Sequence, residues 1–179
     1  MERKLATIRK ISEIKPIEGA DLIELAIVDG WQCVVKKGQF KPGDFGVYFE
    51  IDSFLPIEER FEFLRLSSYK KIQDQLQDKR GEGFRLRTVK LRGQISQGLV
   101  MPLDVFPELK DFPPGQDATE LLKVELYEPP IPASLSGQIR GRIPGFIKKT
   151  DEERIQNLPD YFANYKDLSF ECTEKIDGS

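Results

Sequence analysis

Near the end of the chain, Lys175-Ile176-Asp177-Gly178 follows a strand-like run, Leu168-Ser169-Phe170-Glu171-Cys172-Thr173. A lysine attacks an electrophile such as a phosphoryl group only after losing its proton, because an ammonium has no lone pair. Desolvation and nearby cations lower the pKa and make that loss possible. A strand ending in a pocket would supply the burial, and Asp177-Gly178 would let the chain turn sharply beneath a ligand. The tetrapeptide alone also fits a surface lysine placed before a turn.

Other chemistries are excluded by composition. Histidine is absent from the 179 residues, so neither Ser-His-Asp nor Cys-His catalysis nor a His-bearing metal site can be built from them. The two cysteines, Cys33 and Cys172, cannot make a structural zinc site, and no metal ligands are assigned. Their separation favours two free thiols in a reducing compartment, and hence a cytoplasmic protein. No apolar run approaches the roughly 20 residues of a membrane span, and Met1-Glu2-Arg3-Lys4 does not open a secretory signal, so no membrane association is expected. Catalysis must therefore rest on Lys, Arg, Asp, Glu or an external cofactor.

The elements that would position Lys175 are read from patterning. Lys4 to Ile14, Leu22 to Val28, Trp31 to Lys36, Phe45 to Ile51, Phe84 to Leu91 and Gly98 to Met101 are short β-compatible runs. Asp29-Gly30 is a strong hairpin turn, Lys41-Pro42-Gly43-Asp44 is a second turn, and Arg92-Gly93 is a third. The register of Phe84 to Leu91 slips at Thr88, which predicts a bulge. A helix-compatible insertion occupies Glu58 to Gln77, and Leu103 to Lys123 reads as a loop with one short helix. Short, glycine-punctuated strands predict a small closed barrel, and five of them in Greek-key order make an OB-fold. An SH3-like barrel has similar periodicity.

The expected architecture is thus mainly β: an OB-fold barrel with helical insertions over residues 1–125, then a basic Pro/Gly-rich linker over 126–149. Residues 150–179 would supply the first helix and strand of an α+β domain. Thr150 caps that helix with Asp151, Glu152 and Glu153 in its first turn; it breaks at Pro159 and resumes through Tyr165, and Leu168 to Thr173 closes as a strand.

Although the net charge is −3, residues 79–92 hold Lys79, Arg80, Arg85, Arg87, Lys90 and Arg92 against the single acid Glu82. Such a stretch can bind a polyanion or can simply be solvated. Arg85 and Arg87 share a face if the strand is regular. With Lys90 and Arg92 they are the candidates for nucleic-acid contact, beside Phe84 as a stacking surface. Trp31 could stack on bases if exposed, but burial in the core is preferred for a tryptophan.

Three matches in order carry a family resemblance: the barrel pattern with Lys41-Pro42-Gly43-Asp44 and Leu91-Arg92-Gly93-Gln94-Ile95-Ser96-Gln97-Gly98-Leu99, the stretch Lys149 to Asn157, and Phe170 to Gly178. Together they resemble the ATP-dependent RNA ligases of the nick-sealing type, which carry an amino-terminal OB domain and belong to the covalent nucleotidyltransferases. The resemblance implies that Lys175 is adenylated by ATP and that Arg154 touches the ATP phosphates, a suitable task for a forked guanidinium. It also implies that Thr173 and Glu174 lie at the adenine pocket. Magnesium or manganese would assist, and the partner would be RNA, as a nicked duplex or as broken strand ends. No protein partner is implied.

A different reading takes residues up to about Leu122 as a non-enzymatic OB-type RNA- or tRNA-binding module, and leaves the Lys175 segment without a purpose. By the ligase resemblance the chain is an amino-terminal portion, with further pocket residues expected after Ser179. The 179-residue chain incubated with radiolabelled ATP and magnesium is therefore expected to show no stoichiometric labelling on a denaturing gel.

Overall fold

A computed structural model of the chain describes residues 3–72, 81–127, 129, 155–158 and 160–173. Its strands, in chain order, are β1 (Ala6–Pro16), β2 (Ile23–Val28), β3 (Trp31–Lys36), β4 (Phe45–Phe49), β5 (Ser53–Leu55) and β6 (Tyr69–Lys71). After these come β7 (Glu82–Arg85), β8 (Val89–Leu91), β9 (Gln94–Ser96), β10 (Leu99–Pro102) and β11 (Glu125–Leu126).

The long β1 serves two neighbours. Its first half pairs with β4, from Ala6 opposite Phe49 to Lys10 opposite Phe45. Its second half pairs with β2, from Ile11 opposite Val28 to Pro16 opposite Glu24, and the register shifts between Ile11 and Glu13. A bulge there bends the strand, which lets one element turn the corner of a curled sheet.

Five strands follow in the order β10-β4-β1-β2-β3, and every pairing is antiparallel. The turn between β9 and β10 then reaches β3: the Gln97 amide donates to the Gln32 carbonyl at 2.6 Å, and the Val34 amide to Ser96 Oγ at 3.0 Å. The result is a curled antiparallel half-barrel with the expected Greek-key wiring.

Turn chemistry explains the hairpins. Asp29 and Gly30 have φ of 46° and 83°, as the tight β2–β3 connection requires, and Arg92 and Gly93 repeat this at 48° and 83° between β8 and β9.

The central sheet is buried on both faces. Tyr48 joins Ile11, Val28, Trp31, Cys33 and Val100 inside the curl. Its neighbours Val47 and Phe49 point the other way, into a second core with Ile8, Phe61, Phe84, Phe106 and Leu122. That second core is roofed by a small sheet, β11-β5-β7-β6, and by the turns of residues 103–124. Phe49 meets Phe61 edge to face at a centroid distance of 5.6 Å. Trp31 is buried, as preferred from its type, and stacks on Tyr48 at 6.0 Å. Both cysteines are free; burial pushes the Cys33 thiol up to about 12, while Cys172 is exposed.

Several expectations are corrected. Phe84 to Leu91 is two strands rather than one bulged strand: β7 ends at Arg85 and β8 begins at Val89 in a separate hairpin. Leu86 is buried between them and exchanges backbone hydrogen bonds with Asp52 and Ser53, so the chain changes sheets after it. The insertion forms a 3-10 helix at Glu59–Leu64 and an α-turn at Arg65–Ser68, then becomes strand β6 rather than remaining helical.

Residues 103–109 form two 3-10 turns. Leu168 to Thr173 forms no strand, because a strand exists only through pairing and no described backbone lies in register with it. Just past β11, the Tyr127 amide donates to the Asp52 carbonyl at 2.8 Å. Among the described residues, no helix is long and apolar enough to cross a membrane.

Gly98 tests the packing most directly. It has φ of 99°, and a Cβ there would stand 2.4 Å from the Phe49 carbonyl oxygen, whereas Gly19, at φ 70°, faces open space. Gly98→Ala is expected to cost about 2–4 kcal/mol in urea denaturation, from backbone strain plus overpacking, and Gly19→Ala only about 1.

Candidate functional site

Two regions hold the residues singled out by sequence: the basic hairpin and the segment leading to Lys175. In the hairpin, β8 and β9 pair with Lys90 opposite Ile95 and Leu91 opposite Gln94. Arg87, Lys90 and Arg92 are all exposed and form no ion pair among the described residues. Val89, Leu91 and Ile95 are 42%, 43% and 47% exposed, so the hairpin offers apolar surface interleaved with cations. This combination suits a phosphate backbone with bases resting against side chains.

Arg85 has a different position. Its guanidinium lies 3.1 Å from Asp52 Oδ1 and 4.3 Å above the Tyr127 ring, and the side chain is only 24% exposed. The expected shared face with Arg87 rested on a strand running through both, whereas β7 stops at Arg85. Arg85 thus ties β7 to the loop after β4 and to Tyr127 just past β11. The other three cations are left to face solvent together.

Of the nucleotide-site candidates, Lys175, Glu174 and Arg154 lie outside the described residues, as does most of the linker. Thr173 is described and exposed. Ahead of it, Tyr161, Phe162, Tyr165 and Phe170 form an aromatic cluster, with Tyr161 and Tyr165 centroids 4.9 Å apart and Phe162 and Phe170 5.5 Å apart.

Earlier still, Asn157 reaches the barrel. Its Oδ1 accepts from the Trp31 indole at 3.0 Å and its Nδ2 donates to Glu50 Oε1 at 2.6 Å. Glu50 is buried and also accepts from Arg3 Nε at 2.8 Å. Sequence reasoning missed this trio. One signal was available: a glutamate continuing the apolar run Phe45 to Phe49, where a buried carboxylate must find donors.

A family model described as an OB-fold domain matches residues 5–103. The chain belongs to the OB-fold domain family. The match to this OB-fold covers the half-barrel and its hairpin, including Arg85, Arg87, Lys90 and Arg92.

Solved structures reach further. Naegleria gruberi RNA ligase in an apo variant form is 53% identical with a TM-score of 0.73, covering 87% of this chain and 44% of that one. The same enzyme with pyrophosphate is 52% identical at a TM-score of 0.72, covering 88% and 45%. A variant of it with ATP and manganese is 53% identical at 0.72, covering 87% and 45%. The resemblance to RNA ligases drawn from the motifs therefore holds across the OB-fold and beyond it. The chain spans a little under half the length of these ligase chains. No curated protein sequence matches.

The division among the arginines can be measured. Arg85→Ala is expected to lower stability by about 1–2 kcal/mol in chemical denaturation, through loss of a partly buried ion pair and a cation–π contact. Arg87→Ala should stay within about 0.5 kcal/mol, as surface substitutions do.

Proposed function

We propose that this chain is the OB-fold barrel and nucleophile segment of an ATP-dependent RNA ligase. The observation that carries the reading is co-linearity. One sequence joins the OB-fold to a Lys-x-Asp-Gly motif and resembles an RNA ligase over 87% of its length at 53% identity. Solved forms of that relative hold ATP, AMP or pyrophosphate, the reactant and products of such chemistry, and some also hold manganese.

In the first step the neutral Lys175 amine attacks the α-phosphorus of ATP. An N–P bond forms, the bond to the bridging oxygen breaks, and pyrophosphate leaves with its electron pair. An RNA 5′-phosphate oxygen then displaces Lys175 from that phosphorus, giving a 5′–5′ pyrophosphate link and returning the amine. Finally a 3′-hydroxyl attacks the RNA phosphorus, a phosphodiester forms and AMP departs. Arg154 would hold phosphate oxygens, and Thr173 and Glu174 would line the base pocket.

Magnesium or manganese, when bound, would neutralise phosphate charge and ease the departure of pyrophosphate. Among the described residues no group of three acids or cysteines comes together to hold a metal. No barrel residue is therefore assigned to it.

Arg87, Lys90 and Arg92 would hold the RNA backbone, and the exposed Val89, Leu91 and Ile95 would support nearby bases. An RNA-binding module without catalysis would account for this hairpin but not for the similarity that continues through the later residues.

The test uses the full-length gene product with 5′-phosphorylated nicked duplex RNA, ATP and manganese. The wild type should form enzyme-AMP and a joined strand. Lys175→Ala should lose both while still shifting RNA in a gel. Joining by the Lys175→Ala protein would overturn the assignment.

A further inference from the structure

The barrel presents a polar socket to the segment that follows the linker. Its floor is the indole N–H of Trp31, a residue 2% exposed, and its wall is the Glu50 carboxylate, on a residue 1% exposed. One group donates and the other accepts. Asn157 has the complementary pair on a single planar amide: Oδ1 takes the indole proton at 3.0 Å, and Nδ2 donates to Glu50 at 2.6 Å. Beside it, Gln156 lies over the hairpin turn, its Cγ 3.6 Å from where a Gly30 Cβ would stand. Arg3 holds the other Glu50 oxygen at 2.8 Å, which fixes the carboxylate for Asn157 to read.

The contacts continue beneath the socket. Trp31 stacks on Tyr48, the Tyr48 hydroxyl donates to the Gln97 carbonyl at 2.9 Å, and the Gln97 amide donates to the Gln32 carbonyl at 2.6 Å. Gln97 directly follows β9, in the hairpin that carries Lys90 and Arg92. In sequence, Asn157 stands three residues after Arg154 and eighteen before Lys175. It is therefore tied on one side to the RNA-facing hairpin and on the other to the nucleotide-binding candidates.

We propose that Asn157 is a positioning residue: seated between Trp31 and Glu50, it fixes the OB barrel against the nucleotidyl-transfer segment so that RNA held on the hairpin is presented to the adenylated lysine. The role in catalysis rests on the RNA ligase reading; the seating itself does not. Because self-adenylation involves ATP but no RNA, loosening Asn157 should spare that step and slow the later ones.

The seating is tested in the 179-residue chain, whose single tryptophan is Trp31, so fluorescence reports the socket directly. Asn157→Ala should shift emission to the red and increase acrylamide quenching, with the far-UV circular dichroism and the barrel melt retained. Asn157→Asp sets a second carboxylate against Glu50 and should do the same. Adding Glu50→Gln to Asn157→Asp reverses donor and acceptor across the contact, and should restore the wild-type emission. Unchanged emission and quenching in both single variants would overturn the proposal. So would a double variant no better than Asn157→Asp.

In the full-length protein, Asn157→Asp should lower nicked-RNA joining about tenfold or more, the scale set by a lost hydrogen bond to a charged group, with enzyme-AMP formation within about twofold of wild type. The added Glu50→Gln should recover joining. Equal loss in both steps, or no loss in either, would overturn the positioning role. A wild-type protein that forms no enzyme-AMP would instead defeat the ligase reading, and the fluorescence result would still decide the seating.

Discussion

Burial of the β1–β4 pair on both faces is the constraint from which the rest of the fold follows. Side chains alternate across a strand, so Tyr48 must enter the curl while Val47 and Phe49 enter the outer core. Both sets have to be covered. The curl covers one by bending β1 at its bulge and bringing the β9–β10 turn onto β3. The small sheet and the turns of residues 103–124 cover the other. Each large side chain so removed from water contributes about 1.5–3 kcal/mol, which is why neither covering layer is dispensable.

This arrangement leaves Glu50 in an awkward place. It directly follows Phe49 at the end of β4 and is itself buried. A buried carboxylate without donors would be far more costly than any single apolar contact is favourable. Its donors come from opposite ends of the described chain, Arg3 before β1 and Asn157 after the linker. The requirement to satisfy one charge therefore joins the start of the barrel to the segment beyond it. Among the described residues, the exposed cations of the β8–β9 hairpin form no ion pair, and this leaves them available to a polyanion.

Local features were legible from residue types. Asp29-Gly30 and Arg92-Gly93 marked hairpins because few residues tolerate positive φ and tight antiparallel turns demand it. Trp31 was placed in the core by its size and apolar area. Features that depend on pairing were not legible. Phe84 to Leu91 alternates well enough for one strand, yet Leu86 packs at a junction between sheets and splits it. Arg85 and Arg87 look alike in sequence, but Asp52 and Tyr127, both distant along the chain, engage only Arg85. Leu168 to Thr173 has strand composition but, among the described residues, no partner strand to make it one.

The Lys175-Ile176-Asp177-Gly178 motif, its place after the OB-fold residues and the absence of histidine were determined by the sequence alone, because reactivity classes depend on which functional groups exist and in what order. Tertiary structure decided which basic residues face solvent and which are consumed in packing. It also decided that Trp31, Glu50 and Asn157 meet. Hydrogen bonds form between groups that folding brings within about 3 Å, and no local pattern records that Asn157 lies 126 residues from one partner and 107 from the other.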